Sequence, residues 1–172
     1  MFFRHSILVA VMLAGCASTV MVRVDDDKPE MREVAKQDCS AYEQRGEELR
    51  GGLDFGALLG MVRGGPYVEQ ARTASANWDR GIHAMVAQYK ELCSRFNSGA
   101  ISLAAYDRRV AEIDQFWAEA QGIRQSADDA IRGRGQKAWG ELDRTPADAS
   151  SYDDGKRIAA SVDALVAKLG VR

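Results

Sequence analysis

The 172-residue chain has little proline, few cysteines and no strong excess of charge. It contains only three prolines, and no stretch alternates convincingly between apolar and polar residues, which argues against extended β-structure. The three cysteines form neither a Cys-x-x-Cys nor a Cys-x-x-Cys-His motif, which disfavours thioredoxin-like redox chemistry and covalent haem attachment. The formal net charge is only −2, so the composition gives no indication of nucleic-acid binding.

Motifs for catalysis are missing as well. The sequence has no Gly-x-Ser-x-Gly nucleophile elbow, His-Glu-x-x-His zinc motif or Glu-x-x-His motif. Gly133 and Gly135 begin a spacing found in dinucleotide-binding loops, but they follow a predicted helix and not a strand. His83 flanks an apolar stripe without a partner at metal-ligand spacing. We therefore predict no enzymatic activity, no catalytic residue, no metal site and no cofactor.

What the sequence does contain is a pair of long amphipathic helices. Apolar residues recur at intervals of four and three between Trp78 and Phe96, and again between Tyr106 and Ala120. Gly99 can end the first helix and Ser102 can cap the second, so about five residues join them. This short connection predicts an antiparallel helical hairpin. Its predicted core consists of Trp78, Ile82, Met85, Tyr89, Phe96, Tyr106, Val110, Ile113 and Trp117.

Two further helices are predicted, one on each side of this hairpin. Ser40 and Glu43 have the spacing of a capping box and predict a helix that runs to about Arg50. A polar linker over residues 144–154 precedes a C-terminal amphipathic helix, which either folds onto the bundle or binds a partner. The predicted fold is all-α, with a coiled-coil-like antiparallel hairpin inside a three- to four-helix bundle. The apolar face of the last helix consists of Ile158, Val162, Leu165 and Leu169.

The N-terminal residues have the order of a secretory signal peptide. Arg4 gives a basic start, and an apolar stretch follows over residues 6–15. That stretch is about ten residues long, whereas a membrane-spanning helix needs roughly 20. The sequence therefore predicts a cleaved signal and not a membrane span.

The signal ends in Leu13-Ala14-Gly15-Cys16, which resembles the lipobox of bacterial lipoprotein precursors. The resemblance implies cleavage before Cys16, acylation of that cysteine and attachment to a membrane through the lipid. An aspartate directly after the cysteine commonly retains such lipoproteins in the inner membrane. Ala17 stands there instead, which favours the outer membrane, facing the periplasm.

The other two cysteines, Cys39 and Cys93, form an even pair in a compartment that permits disulfides. Cys39 lies just before the first predicted helix, and Cys93 lies in the last turn of the helix that carries Trp78. If those helices are antiparallel, both cysteines lie at the same end of the bundle. We predict a disulfide between them; an intermolecular bridge and two free thiols are the alternatives.

These features divide the chain into four segments. The run of charged residues between Asp25 and Glu30 is too polar to pack, so a flexible tether is expected between the acylated cysteine and the bundle. The segments are a cleaved signal peptide at 1–15, the acylated Cys16 and its tether at 16–38, the helical bundle at 39–143, and a polar linker with the C-terminal helix at 144–172.

The hairpin connection adds a second resemblance. Residues 92–102 and 106–109 look like parts of small helical periplasmic lipoproteins of uncharacterised function, and this likeness transfers no catalytic residue. We therefore predict a membrane-anchored periplasmic protein with a structural or interaction role, as a scaffold or accessory to an envelope protein partner. A periplasmic binding or chaperone-like module for an apolar ligand or an unfolded chain is the alternative. The oligomeric state stays open.

Overall fold

The computed structural model describes residues 18–58, 68–140 and 149–170. Within these ranges the protein is mostly helical, with five helices and one two-stranded antiparallel sheet. The fold is therefore compatible with the predicted helical bundle, but it is not strictly all-α. The elements are β1 (Thr19–Arg23), β2 (Met31–Ala35), α1 (Ala41–Arg50), α2 (Phe55–Leu58), α3 (Val68–Asn97), α4 (Leu103–Gly140) and α5 (Ala149–Lys168).

The two long helices, α3 and α4, form the antiparallel hairpin. Gly99, in the five-residue connection, has a φ of +73°, a conformation that glycine adopts more easily than other residues. Ser102 caps α4, since its Oγ accepts a hydrogen bond from the Ala105 N–H at 3.1 Å. The ring of Phe96 on α3 stacks on Tyr106 of α4 with 4.2 Å between centroids. These contacts bring the end of one helix against the start of the other.

The main core fills the space between all five helices. Of the nine predicted hairpin core residues, the structure buries all but Val110, which is half-buried. Helix α5 covers the hairpin, because its Ile158, Val162 and Leu165 are buried in the same core. The structure therefore supports the first of the two predictions for the C-terminal helix, that it folds onto the bundle.

Two helices pack closely against α3 at glycines. A Cβ atom at Gly46 of α1 would lie 2.8 Å from Cγ2 of Val86, and one at Gly81 of α3 would lie 3.1 Å from Cγ2 of Val166 on α5. Both positions lack the space that a larger side chain needs, so α1 and α5 approach α3 more closely than a side chain at those points would allow.

Helix α1 begins one residue after the predicted start, but the predicted capping box does not form. The side chain of Ser40 makes no capping hydrogen bond. Its Oγ and its N–H instead donate to the carboxylate of Asp38, at 2.7 and 2.9 Å. Asp38 thus organises the entry to α1, and these two hydrogen bonds hold the pKa of its carboxyl below the usual value.

The prediction of a flexible tether up to residue 38 is wrong for most of that segment, which forms the β1–β2 hairpin. Thr19 pairs with Ala35 and Arg23 pairs with Met31. Val22 is fully buried, and the Val24 carbonyl accepts a hydrogen bond from the Ala104 N–H at 3.1 Å. The strands therefore pack onto the start of α4, and the predicted polar run forms the turn between them.

Candidate functional site

The β1–β2 hairpin lies at the end of the bundle where α3 passes into α4, and the predicted cysteine pair lies at the same end. Cys39 and Cys93 are at disulfide distance, with their Cα atoms 5.4 Å apart. Cys93 is buried and Cys39 is half-buried. The pairing places the chain just before α1 against the last turns of α3, as the antiparallel arrangement of these helices requires.

A reciprocal pair of hydrogen bonds surrounds the cysteine pair. The Gln37 N–H donates to Oδ1 of Asn97, and Nδ2 of Asn97 donates back to the Gln37 carbonyl, both at 2.8 Å. Asn97 is the last residue of α3, so its amide fixes the chain that leaves β2. The cysteines and this amide together connect the β1–β2 hairpin to the main core.

Three tyrosines extend from this junction into the bundle. The Tyr42 hydroxyl donates a hydrogen bond to Asp114, and its ring lies 4.0 Å from that of Tyr89. Burial, followed by this hydrogen bond, raises the pKa of Tyr42 well above its ordinary value. Burial and a side-chain hydrogen bond with Tyr89 raise the pKa of Tyr106 in the same way. Tyr42 and Tyr106 therefore keep their protons at neutral pH and serve as hydrogen-bonding core residues.

A charged cavity of about 720 Å³ opens between the β1–β2 turn and the end of α5. Its floor is apolar and includes Ile113 and Phe116. Three carboxylates, from Asp26, Glu91 and Glu112, are outnumbered by the basic groups that line it. The basic residues are Arg23, Arg95, Arg108, Arg109 and Lys168. We call this space the strand-end cavity.

Two of the basic groups of the strand-end cavity, Arg108 and Arg109, are held by weak surface pairs. Arg109 lies 2.7 Å from Glu112, and Arg108 lies 3.9 Å from Asp26. All four side chains are substantially exposed, so such pairs contribute little stability and exchange readily for another anion. This cavity was not predictable from the sequence, because two of its residues, Arg23 and Asp26, lie in the segment predicted to be a tether.

A second groove runs between α1 and α4. The guanidinium group of Arg124 of α4 packs directly over Gly52, where a Cβ atom would lie 2.5 Å from Cζ of the arginine. Its Nη1 donates to the Glu48 carbonyl at 2.9 Å. Trp78 Nε1 donates to the neighbouring Leu49 carbonyl at 3.2 Å. The last carbonyls of α1 thus find partners on α3 and α4, which satisfies groups that a helix end leaves free. The groove beside them is lined by the apolar Leu49, Trp117 and Ala118 and by charged and amide side chains, from Arg45, Glu48, Asp114, Gln121, Arg124, Gln125 and Asp128.

Two other residues from the sequence analysis lie apart from these features. His83 is exposed on α3, with its Nδ1 2.8 Å from the Asp79 carbonyl. Within residues 18–58, 68–140 and 149–170, no group of three or more histidine, cysteine, aspartate or glutamate side chains is placed to hold a metal ion. Cys16, the predicted acylation site, lies outside the described residues.

The comparisons with known proteins leave the function to be argued from the chain itself. Searches against protein-family models, curated proteins and solved structures each found no match. In the part of the chain that the structure describes, no helix combines the length and apolar character needed to cross a bilayer.

Proposed function

We propose that the protein is a lipid-anchored component of the bacterial envelope that holds a helical body at the membrane as an interaction or scaffold module. The observation that carries the proposal is Leu13-Ala14-Gly15-Cys16 at the end of a short apolar stretch with a basic start. In proteins with this signal the cysteine is acylated, and two or more acyl chains hold a protein stably on a bilayer. The outer membrane, facing the periplasm, is the proposed location.

The cysteine pair supports a location outside the cytoplasm. Cys39 and Cys93 lie at disulfide distance at the junction of the β1–β2 hairpin and the main core. Disulfides persist in oxidising compartments such as the periplasm and are rare in the reducing cytosol. A pair built into the fold in this way suits a protein that matures after export.

The packing favours an interaction module over a chaperone-like binder. The seam between α3 and α4 is filled by its own side chains, with Ile82, Met85 and Ile113 buried. A module that clasps an unfolded chain needs a continuous exposed apolar surface. Among the described residues, the exposed large hydrophobic side chains are Met21 and Met31, and both belong to the β1–β2 hairpin.

The groove between α1 and α4 is the proposed partner-binding face. It presents both signs of charge, since Arg45 and Arg124 alternate with Asp114 and Asp128 around the amide of Gln121. Such a surface fits a polar protein partner of complementary charge, because interspersed charges fix the register of a protein contact.

The anchor is tested by intact mass and fractionation. We expect protein extracted from membranes to begin at Cys16 and to carry added acyl mass, and we expect Cys16→Ala to lose membrane attachment. Ser18→Ala, two residues away, is the matched control and should keep both. An unmodified Cys16 in the membrane fraction would contradict the proposed anchor.

The interaction role is tested by photo-crosslinking in cells. A crosslinking amino acid at Gln121, in the groove, should capture a defined envelope protein, whereas one at His83 on the opposite side of α1 should not. The captured band should disappear in the Cys16→Ala background, because the unanchored protein no longer meets its partner at the membrane. Equal labelling from both positions, or none from Gln121, would contradict this binding face.

A further inference from the structure

The β1–β2 hairpin begins close to the proposed anchor. Only residues 17 and 18 separate Cys16 from Thr19, the first residue of β1. Even a fully extended chain spans at most about 11 Å over these three steps. An acyl group on Cys16 would therefore hold the hairpin at the headgroup region, and not at the end of a long spacer. This inference rests on the proposed anchor and adds a second contact with the membrane, made by the hairpin.

The hairpin has one face that the bundle covers and one that it leaves open. Because successive strand residues point to opposite faces, Val22 packs inward while Met21 and Arg23 share the outer face. Met31 pairs with Arg23 across the strands and lies on the outer face too. Met21 is 50% exposed and Met31 is 49% exposed.

The outer face also carries one acidic residue. Glu33 pairs with Met21, and its Oε1 accepts a hydrogen bond from Oγ1 of Thr19 at 2.5 Å. This hydrogen bond gives the carboxylate a partner within the sheet. The two methionines, Arg23 and this partnered carboxylate together make a small apolar surface with a polar edge.

Arg23 connects that surface to the strand-end cavity. It lines the cavity together with Arg108 and Arg109 of α4. Guanidinium groups bind phosphate oxygens through paired hydrogen bonds, and the weak ion pairs of Arg108 and Arg109 compete poorly with such contacts. Apolar side chains beside cations can contact both parts of a membrane interface, the boundary with the acyl chains and the lipid phosphates.

We propose that the outer face of the β1–β2 hairpin rests on the phospholipid surface. Met21 and Met31 enter the boundary between headgroups and acyl chains, and Arg23, Arg108 and Arg109 meet lipid phosphates. The bundle is thus docked on the membrane through the end that carries the β1–β2 hairpin, which we call the strand end. The groove between α1 and α4 is left for a protein partner.

Methionine oxidation tests the contact. Acylated protein added to preformed phosphatidylcholine–phosphatidylglycerol vesicles is treated with peroxide, and oxidation of Met21 and Met31 is followed in separate tryptic peptides. We expect both to react about tenfold more slowly than in the unacylated Cys16→Ser protein, because lipid covers their side chains. The buried Met85 should react slowly in both samples.

A matched pair of charge variants tests the arginines. Arg108 and Arg132 are exposed arginines on α4, each with one weak aspartate pair, at 3.9 and 3.5 Å. Arg108→Glu should reduce the protection of Met21 and Met31 on vesicles that contain phosphatidylglycerol. Arg132→Glu changes the charge equally, far from the hairpin, and should leave the protection unchanged.

The outcomes separate this inference from the proposed function. Acylated Cys16 with protected methionines supports both. Acylated Cys16 with methionines that react as fast as in the Cys16→Ser protein overturns the docking and leaves the anchor intact. Absence of acyl mass on Cys16 overturns the anchor and, with it, the docking. Equal loss of protection in Arg108→Glu and Arg132→Glu overturns the role of the arginines at the phosphates.

Discussion

The main core and the strand end of the bundle are built in different ways. The main core draws buried residues from all five helices, so no single contact decides its stability. The strand end has a separate cluster in which only Val22, Phe96 and Tyr106 are buried. It is also attached through the cysteine pair, the Gln37–Asn97 amide pair, one hydrogen bond to α4 and the exposed ion pair between Asp26 and Arg108. We therefore expect changes in the main core to act globally and changes at the strand end to act locally.

Removing the cysteine pair should have the largest effect, because it joins the two regions. The cysteines are 54 residues apart, and the chain-entropy model gives about 4 kcal/mol for closing a loop of that size. The Cys39→Ala/Cys93→Ala double variant should lose about this free energy of unfolding in urea titrations. Reduction of the wild-type protein should produce the same loss; an unchanged urea midpoint would mean that the two regions are joined by other contacts.

A pair of valine variants compares the regions directly. Val22 of the strand end and Val162 of the main core are both fully buried. Each valine-to-alanine change should cost about 2 kcal/mol at its own site. Val162→Ala should lower the stability of the whole bundle, whereas Val22→Ala should speed hydrogen exchange in the β1–β2 hairpin more than in α3 and α5. Equal acceleration everywhere would show that the molecule unfolds as one unit.

Two glycines in helix interiors test how closely the helices of the main core pack. Gly46→Ala should destabilise the protein by about 1 kcal/mol, because crowding against Val86 outweighs the gain in helix propensity. At Gly122 of α4 a Cβ would meet no atom within 4 Å. Gly122→Ala should therefore stabilise the protein by about 1 kcal/mol in the same urea assay. The same sign for both variants would argue against the close contact between α1 and α3.

The smallest expected effect comes from the tyrosines, which make the stability of the protein depend on pH in the alkaline range. The pKa of Tyr42 and that of Tyr106 are raised in the folded protein, so the folded state holds these protons more tightly than the unfolded state. Their contribution to the free energy of unfolding is fully present below the ordinary tyrosine pKa of about 10 and is lost as the pH rises above that value. The urea midpoint of the wild-type protein should therefore fall as the pH rises above about 10. The midpoint of Tyr42→Phe should fall less steeply with pH. An identical slope in Tyr42→Phe would exclude Tyr42 as a source.

The main core was predictable because its signal is long and periodic. The stripe from Trp78 to Phe96 repeats over almost three heptads, and the connection at Gly99 forces the two helices to be antiparallel neighbours. The position of both cysteines at one end was predicted on the condition that the first helix is antiparallel to the helix that carries Trp78, and the structure has this arrangement. Long periodic patterns specify a buried face even when the surrounding residues are charged.

The strand end was missed because its local signal is weak. Val20, Val22 and Val24 alternate with other residues, and this alternation was the available indication of a strand. The strands have five residues each and bury only Val22 fully, so contacts with Phe96 and Tyr106, more than 60 residues away, decide their structure. The Arg124 contact with α1 and the strand-end cavity also depend on such distant contacts.

Hydrogen exchange in residues 19–36 of the acylated protein shows whether the chain next to the proposed anchor is folded. We propose that the chain between the proposed anchor and the bundle is a folded hairpin that keeps the body at the membrane. We expect slow exchange for the hydrogen-bonded amides of the hairpin, including those of Val24 and Lys36, which flank the strands and donate to the Glu30 and Ser18 carbonyls at 2.9 Å. Exchange of these amides at the rate of an unstructured peptide would contradict it and would restore a flexible tether.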